Sequence, residues 1–443
     1  MKIKQLTLPA PDICHAPPSQ YYVFNGRDWI RQDRTMVQVL LTSKGVPCKT
    51  APGSMLSPME QSLLDLSLKQ HVSYADRIAG YNAGIYEMGG HRVLVTQSPD
   101  WIEPLPGAYP LLTRLFTELL GEKQLPYFYS WLHVAMKMFQ EQEFRPGQVL
   151  IMAGAPDCGK SLLQALITYM FGGRQAQPYQ FMAGDTAFNS DLVGAAHLVI
   201  SDEGPRYGSA RDKVGLSLKK FAVEHVHRCC AKGVAPLEVG VLQRITMTLN
   251  DDDQSLLAVP PMRAGISDKV MLFRLEKSQL VQERGGVRKA FWADLTAELP
   301  AFLHMISEWE IKIENGVIPA VRMGVECYHD QTLMDDLGNL ENYTRLLEII
   351  DETIFPFHKK LTVWHGTAIE LQKELCDLKA PYHTEAGQLL RYENTCGRLL
   401  SDLSRQRPER VTKDKWRRGK QTWDIKTRIQ LLLLHVVVAR PNS

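Results

Sequence analysis

An α/β fold is predicted for this chain, with a parallel sheet held between helices in a three-layer core. Three observations predict it. From Gln148 onward, short apolar strands alternate with amphipathic helices. The run Gly154-Ala155-Pro156-Asp157-Cys158-Gly159-Lys160-Ser161 joins the first of those strands to the first helix. The apolar segments 197–202 and 244–249 each run into polar residues at their ends, as strands do where they open onto a site.

Taken in chain order, Tyr21 to Ile30 reads as two aromatic β stretches around Asn25-Gly26, the spelling of a tight type I′ hairpin. This N-terminal segment reads as a small mixed α/β domain. The Pro-rich stretch Ser98 to Gly107 ends it. Helical patterns follow at Leu111 to Leu120 and Tyr127 to Gln140, with the break expected at Pro126. The core elements are then a strand at 148–153, a helix at 161–171, a strand at 197–202, a helix near 211–224, and strands near 237–240 and 244–249. Beyond about residue 325 the pattern turns helical again and ends in a basic stretch containing Trp416 and Trp423. The expected domains are 1–108, 109–325 and 326–443.

Composition narrows the function classes. With 443 residues and 44% hydrophobic content the chain can form two or three cores, and a net charge of +2 exerts no global pull on nucleic acid. Any such binding must come from a local basic patch. The eight cysteines, at 14, 48, 158, 229, 230, 327, 376 and 396, show neither CxxC pairs nor Cys/His ligand spacing. That argues against a zinc site or a disulfide scaffold, and the adjacent Cys229-Cys230 reads as strand packing. A reducing, cytoplasmic location is expected. The N-terminus lacks the apolar core of a signal peptide, and the run Leu431 to Ala439 is broken by His435 and too short to span a bilayer, so no membrane role is expected.

The loop at 154–161 has the spelling and setting of a phosphate-binding loop, which implies ATP or a related nucleotide with Mg²⁺. Gly154 and Gly159 let backbone N–H groups face the phosphates, Ala155, Pro156, Asp157 and Cys158 span the turn, and Leu162 follows in the opening helix. Lys160 brings a charge to the β- and γ-phosphates, and the Ser161 hydroxyl reaches Mg²⁺ at the positive end of the helix. Downstream, His197-Leu198-Val199-Ile200-Ser201 leads into Asp202-Glu203. In a hydrolysing site Asp202 holds the metal shell and Glu203 polarises the attacking water; otherwise the pair is a solvated acidic turn. Asn250 closes the strand Arg244 to Leu249, where it can meet both the γ-phosphate and the water, although an Asn there alone is more often a turn former.

Together these three elements, over roughly residues 111 to 275, resemble the superfamily 3 helicases, a branch of the AAA+ ATPases found in small DNA viruses, phages and mobile elements. Between the acid pair and Asn250, Ala231-Lys232-Gly233-Val234-Ala235-Pro236-Leu237-Glu238-Val239 looks like that family's channel hairpin. The resemblance makes Lys232 the residue that grips the DNA backbone; turn chemistry alone makes Lys232-Gly233 simply a turn. Viral members generally carry a histidine where this chain has Gly233. Members also place an arginine ahead of the strand after the Asn, reaching a neighbouring subunit's nucleotide. Here Lys269 occupies that place, with Arg263 and Arg274 nearby, and the alternative is a surface lysine. The C-terminal stretch from Arg398 through Arg405, Arg407, Arg410, Lys413, Lys415, Arg417, Arg418 and Lys420 to Trp423-Asp424-Ile425 resembles the winged-helix domain appended to many phage-type primase-helicases. Its basic residues and tryptophans either contact DNA or form a solvated face over a tryptophan core.

The resemblance implies a P-loop AAA+ core with a small N-terminal α/β domain and a C-terminal winged-helix-like domain. It implies a replicative DNA helicase of a phage or mobile element, a hexameric ring translocating on single-stranded DNA and opening forked DNA. Any primase is expected on a separate chain. Two other readings remain open: an ATP-regulated origin-binding or loading factor without strand separation, and a small-molecule P-loop kinase.

Overall fold

The computed structural model describes residues 3–6, 12–201, 209–262, 265–311, 322–356, 361–417 and 420–427. The chain is mixed α/β and divides into two compact units, Met1–Leu333 and Met334–Ser443.

The core of the first unit is a five-stranded sheet: β1 (Val149–Gly154), β2 (Gln175–Ala176), β3 (His197–Ser201), β4 (Arg244–Leu249) and β5 (Val270–Leu275), in the order β5-β1-β4-β3-β2. Every neighbouring pair is parallel. A parallel sheet is covered on both faces, which explains the unbroken burial of β1 and β4. It also brings all the strand C-termini to one edge. Register places Gly154 beside Leu275, Ala153 beside Leu249, and Thr248 beside Ser201. Helix α1 (Lys160–Met170) leaves β1 through the glycine loop and packs Leu163, Leu166 and Ile167 into the core.

A long helical segment, Pro110–Glu141, backs the sheet with Phe116, Phe128 and Trp131, and the Trp131 indole donates to the Gln148 carbonyl at 2.9 Å. Its break falls at Gly121 (φ 64°, ψ 166°), not at the expected Pro126. Pro126 stays inside the second helical segment at the cost of the hydrogen bond its N–H would have made, whereas the positive φ at Gly121 favours a residue without Cβ.

Upstream lie a four-stranded mixed sheet and a three-stranded antiparallel sheet, with helices Arg34–Ser43 and Pro58–Lys69. Ser57 and Glu60 form a reciprocal capping box on the second helix. The expected hairpin exists, but Phe24 pairs with Trp29 across four loop residues instead of a two-residue turn. The Asn25 carboxamide oxygen accepts from the N–H groups of Arg27 (2.9 Å) and Asp28 (2.8 Å), which stabilises the wider loop. Tyr81, Tyr86 and Val93 join the same apolar cluster as Leu150 and Phe273, so this segment and the parallel sheet share one core.

The second unit has a three-stranded antiparallel sheet, ordered Val363–Thr367, Lys420–Lys426, Val411–Arg417, with helices Ala368–Leu375, His383–Leu389 and Thr395–Gln406 between its first and second strands in sequence. Trp364, Leu371, Leu400, Trp423 and Ile425 form its core. Among the described residues no helix is long and apolar enough to cross a membrane.

Candidate functional site

The loop from Gly154 to Lys160 is shaped by close approach. A Cβ on Gly154 would stand 2.6 Å from the Leu275 carbonyl oxygen, and Gly159 sits at φ +122° with Leu119 3.0 Å from a would-be Cβ. Only glycine fits either position without displacing its neighbours. Asp157 is also left-handed, at φ 59°. Neighbouring segments brace the loop: Ser278 N donates to the Cys158 carbonyl (3.4 Å) and Gln282 Nε2 to the Asp157 carbonyl (3.0 Å). Pro156 and Asp157 are exposed, Ala155 half-buried and Cys158 buried. Burial pushes the Cys158 thiol up, against the opposing pull of Lys160.

Lys160 opens α1 and is only 7% exposed. Its ammonium donates to the carbonyls of Gly154 (2.8 Å) and Ala155 (2.7 Å) and to Asn250 Oδ1 (3.0 Å). Each of its three protons therefore has an acceptor. The third bond matters most, because Asn250 follows β4 and is ninety positions away in sequence. Adjacent parallel strands carry the two residues to the same edge, where the sequence alone could only list them. Beside Asn250, the Arg274 guanidinium lies 3.7 Å from the Asp251 carboxylate, so Arg274 belongs to this same edge. Ser161 is exposed in the first turn of α1, while Leu162 is half-buried against the core. Asp202 and Glu203 lie outside the described residues, as do Arg263 and Arg418. Their strand is described to Ser201, which ends β3 at this edge.

The glycine cradle, the Lys160 charge and the open N-terminus of α1 fit a triphosphate, and the exposed Ser161 hydroxyl fits one ligand position of Mg²⁺. Lys269 is placed elsewhere. It sits in the turn Ser267–Lys269 at the start of β5, the opposite end of the sheet. There it is 7% exposed, and its ammonium donates to both Asp268 carboxylate oxygens at 2.6 Å. In this arrangement it is tucked in, not extended toward a neighbour.

Strands Val226–Cys229 and Leu237–Gly240 pair antiparallel as a separate hairpin. Lys232 and Gly233 form its exposed turn, with Gly233 at φ +77° and open space around a would-be Cβ. Asn189, 3% exposed, grips the base: Nδ2 donates to the Arg228 carbonyl (2.8 Å) and Oδ1 accepts from Cys230 N (2.7 Å). Cys229 is packed into the core, as strand packing requires.

In the second unit, Arg417 ends its strand opposite Lys420, at the end of the hairpin. Trp423 is 3% exposed and lies under the Lys413 ammonium, 5.6 Å from its ring, so it is a core residue and does not stack on bases. Arg410 is also structural, paired with Asp351 at 2.6 Å. Both ring nitrogens of His365 face carboxylates, Asp424 (2.5 Å) and Asp414 (3.7 Å), which makes a polar cluster across the strands.

Known structures share this arrangement of elements. The apo structure of the NrS-1 C terminal region (305-718) aligns at a TM-score of 0.52 and 12% identity, covering 94% of this chain and 95% of that one. Its A form apo structure aligns at 0.51 and 11%, covering 92% and 94%. The chain shares its fold with the NrS-1 C terminal region. At such identity the likeness concerns fold alone. A ligand-bound JCV helicase structure aligns at a TM-score of 0.27 and 12% identity, over 52% of this chain and 64% of that one, and carries no argument. No protein-family model and no curated protein matches the sequence.

Sequence reasoning missed Gln164. It is 4% exposed in α1 and bonded to both β3 and β4. Its signal was present: Lys160, Gln164 and Thr168 form a polar stripe at four-residue spacing on the buried face of an otherwise apolar helix. Arg274 was noted only as a possible finger, since its partner Asp251 becomes a neighbour only through the sheet.

Proposed function

We propose that this chain is an ATP-dependent DNA motor, a superfamily 3 AAA+ helicase working as a homo-oligomeric ring, hexameric by family precedent, on single-stranded and forked DNA. The observation that carries the reading is the 3.0 Å bond from Lys160 to Asn250, which joins the phosphate loop to the polar end of an adjacent parallel strand. A γ-phosphate drawing on the Lys160 ammonium competes with that bond, so Asn250 registers whether the loop is engaged. With Oδ1 turned to Lys160, the Asn250 amide offers Nδ2 protons to phosphate or water. Asp202 and Glu203 follow Ser201 in sequence, and we assign them the metal shell and the water-activating base. Ser161 and Asp202 would hold Mg²⁺, which would supply charge neutralisation to the phosphates.

The exposed Lys232 turn, held at its base by Asn189, is suited to a phosphate backbone. Lys269 is the proposed trans-acting finger, and its Asp268 pair must open for it to reach a neighbouring subunit. After the helix Gln331–Ile354, the strand-helix-helix-helix-strand-strand order of the second unit supports a winged-helix-like DNA contact, with Arg417 at the hairpin end and Arg418 next to it in sequence. A separate primase is the expected partner. The test is a forked-DNA unwinding assay with ATP, run with size measurement with and without nucleotide. Strand displacement by a nucleotide-dependent oligomer is expected and should vanish in Glu203→Gln. DNA-stimulated hydrolysis without displacement would instead indicate a loading factor, and monomeric phosphoryl transfer to a small acceptor a kinase.

A further inference from the structure

The geometry points to Gln164 as a positioning residue that sets the phosphate-loop helix against the two strands whose ends complete the site. This inference rests on the proposed ATPase reading for its consequence, though not for its structural content. Gln164 lies one helical turn beyond Lys160 on the same face of α1. Its Nε2 donates to Thr246 Oγ1 (2.9 Å) in β4 and to the Ile200 carbonyl (3.2 Å) in β3, with a longer contact to the Thr246 carbonyl (3.4 Å). Its Oε1 accepts from Ser201 Oγ (2.9 Å) in β3 and Thr248 Oγ1 (3.2 Å) in β4. Both amide protons and both oxygen lone pairs are thus used by one side chain at 4% exposure. The Ile200 carbonyl fixes the orientation, because a flipped amide would set oxygen against oxygen.

The partners are selective. Ser201 and Thr248 are the residues at which β3 and β4 approach the site edge, and Thr248 stands two positions before Asn250. Apolar packing alone lets a helix slide over a sheet by fractions of an ångström, while directed bonds to two strands fix one registry. Thr246 carries the constraint further. Its hydroxyl accepts from Gln164 and donates to His197 Nε2 (2.8 Å); His197 Nδ1–H donates to Thr168 Oγ1 (2.7 Å), which donates to Gln175 Oε1 (2.9 Å). This single run of protons satisfies every link and ties α1 to β4, β3 and β2.

The experiment compares wild type with Gln164→Leu, which keeps the volume and removes every one of these bonds, and with Thr248→Val, which removes one in case the first variant fails to fold. Hydrogen exchange of the nucleotide-free protein is the activity-independent readout. Faster exchange in segments 160–164 and 248–251 is expected in both variants, with exchange in the second unit unchanged. Nucleotide affinity and turnover are then measured separately. Turnover is expected to fall on the order of 10-fold in Gln164→Leu with affinity kept, since a full ~1 Å misplacement costs about 10²-fold and the slide is a fraction of that. Leu163→Ala serves as a control for general destabilisation. Unchanged exchange in both segments would overturn the proposal outright. A turnover loss in Leu163→Ala as large as in Gln164→Leu would reduce Gln164 to ordinary packing and overturn it equally. If the wild type hydrolyses no nucleotide, the ATPase reading fails while the exchange result still decides the positioning claim.

Discussion

Replacing Asn250 with alanine should separate nucleotide binding from turnover. In the structure the Lys160 ammonium has three acceptors, two of them backbone carbonyls that the substitution leaves in place. Losing the third removes one hydrogen bond to a charged group, about 1.5–3 kcal/mol before the remaining contacts adjust. That loss falls on the nucleotide-free state, where Lys160 is 7% exposed, so the freed ammonium is if anything more available to a phosphate. Affinity should therefore hold within about threefold, under 1 kcal/mol. Turnover should not hold. An oriented polar donor removed from a developing charge typically costs about 10²–10³ in kcat. The assay is a titration with a fluorescent ATP analogue alongside steady-state hydrolysis. Weakened binding with unchanged kcat would refute the reasoning, because it would make Asn250 part of the binding cradle and not of the chemistry.

Lys232→Ala removes an exposed charge at a turn with open space around it, so stability should change by no more than about 0.5 kcal/mol. Basal hydrolysis should persist while DNA stimulation and unwinding fall; intact unwinding would remove the hairpin from the DNA path. Burial holds His197 well below its usual range, at about 3, with neutral Thr168 and Thr246 on its two nitrogens. Its folded pKa lies below its unfolded value near 6.5, so the unfolded chain binds the extra proton. The stabilising contribution is complete above about pH 6.5 and is lost as pH falls toward 3, at about 1.4 kcal/mol per unit. Between pH 7 and 5 the denaturation midpoint of wild type should drop more steeply than that of His197→Asn; parallel slopes would count against a neutral buried imidazole.

Much of the core was legible because the signals were local. The apolar run from Val149, the glycine spelling of 154–161 and the polar ends of β3 and β4 each reflect short-range chemistry that a parallel sheet demands. Local signals also misled. Pro126 looked like the break but lies inside the second helical segment, and Gly121 holds the turn. Asn25-Gly26 spelled a two-residue turn, yet the Asn25 side chain closes a four-residue loop. Trp423, at the end of the basic stretch, proved to be core once its strand was paired, since alternation puts Trp423 and Ile425 on the same inward face.

The sequence by itself determined the chemistry on offer: a glycine-bounded loop, a lysine, a serine, an acid pair, an asparagine, and a lysine-glycine pair. It could not determine which of these meet. That was decided by the strand order β5-β1-β4-β3-β2, which sets β4 beside β1 and so brings Asn250 to Lys160. The same order puts Arg274 with Asp251 at the site and leaves Lys269 at the far end, against Asp268. The physical reason is that hydrogen-bond pairing between distant strands is a property of the assembled sheet, and no single segment carries it. Gln164 shows this most plainly: one polar residue on an apolar helix face acquires its role only when two strands arrive to use all of its bonds.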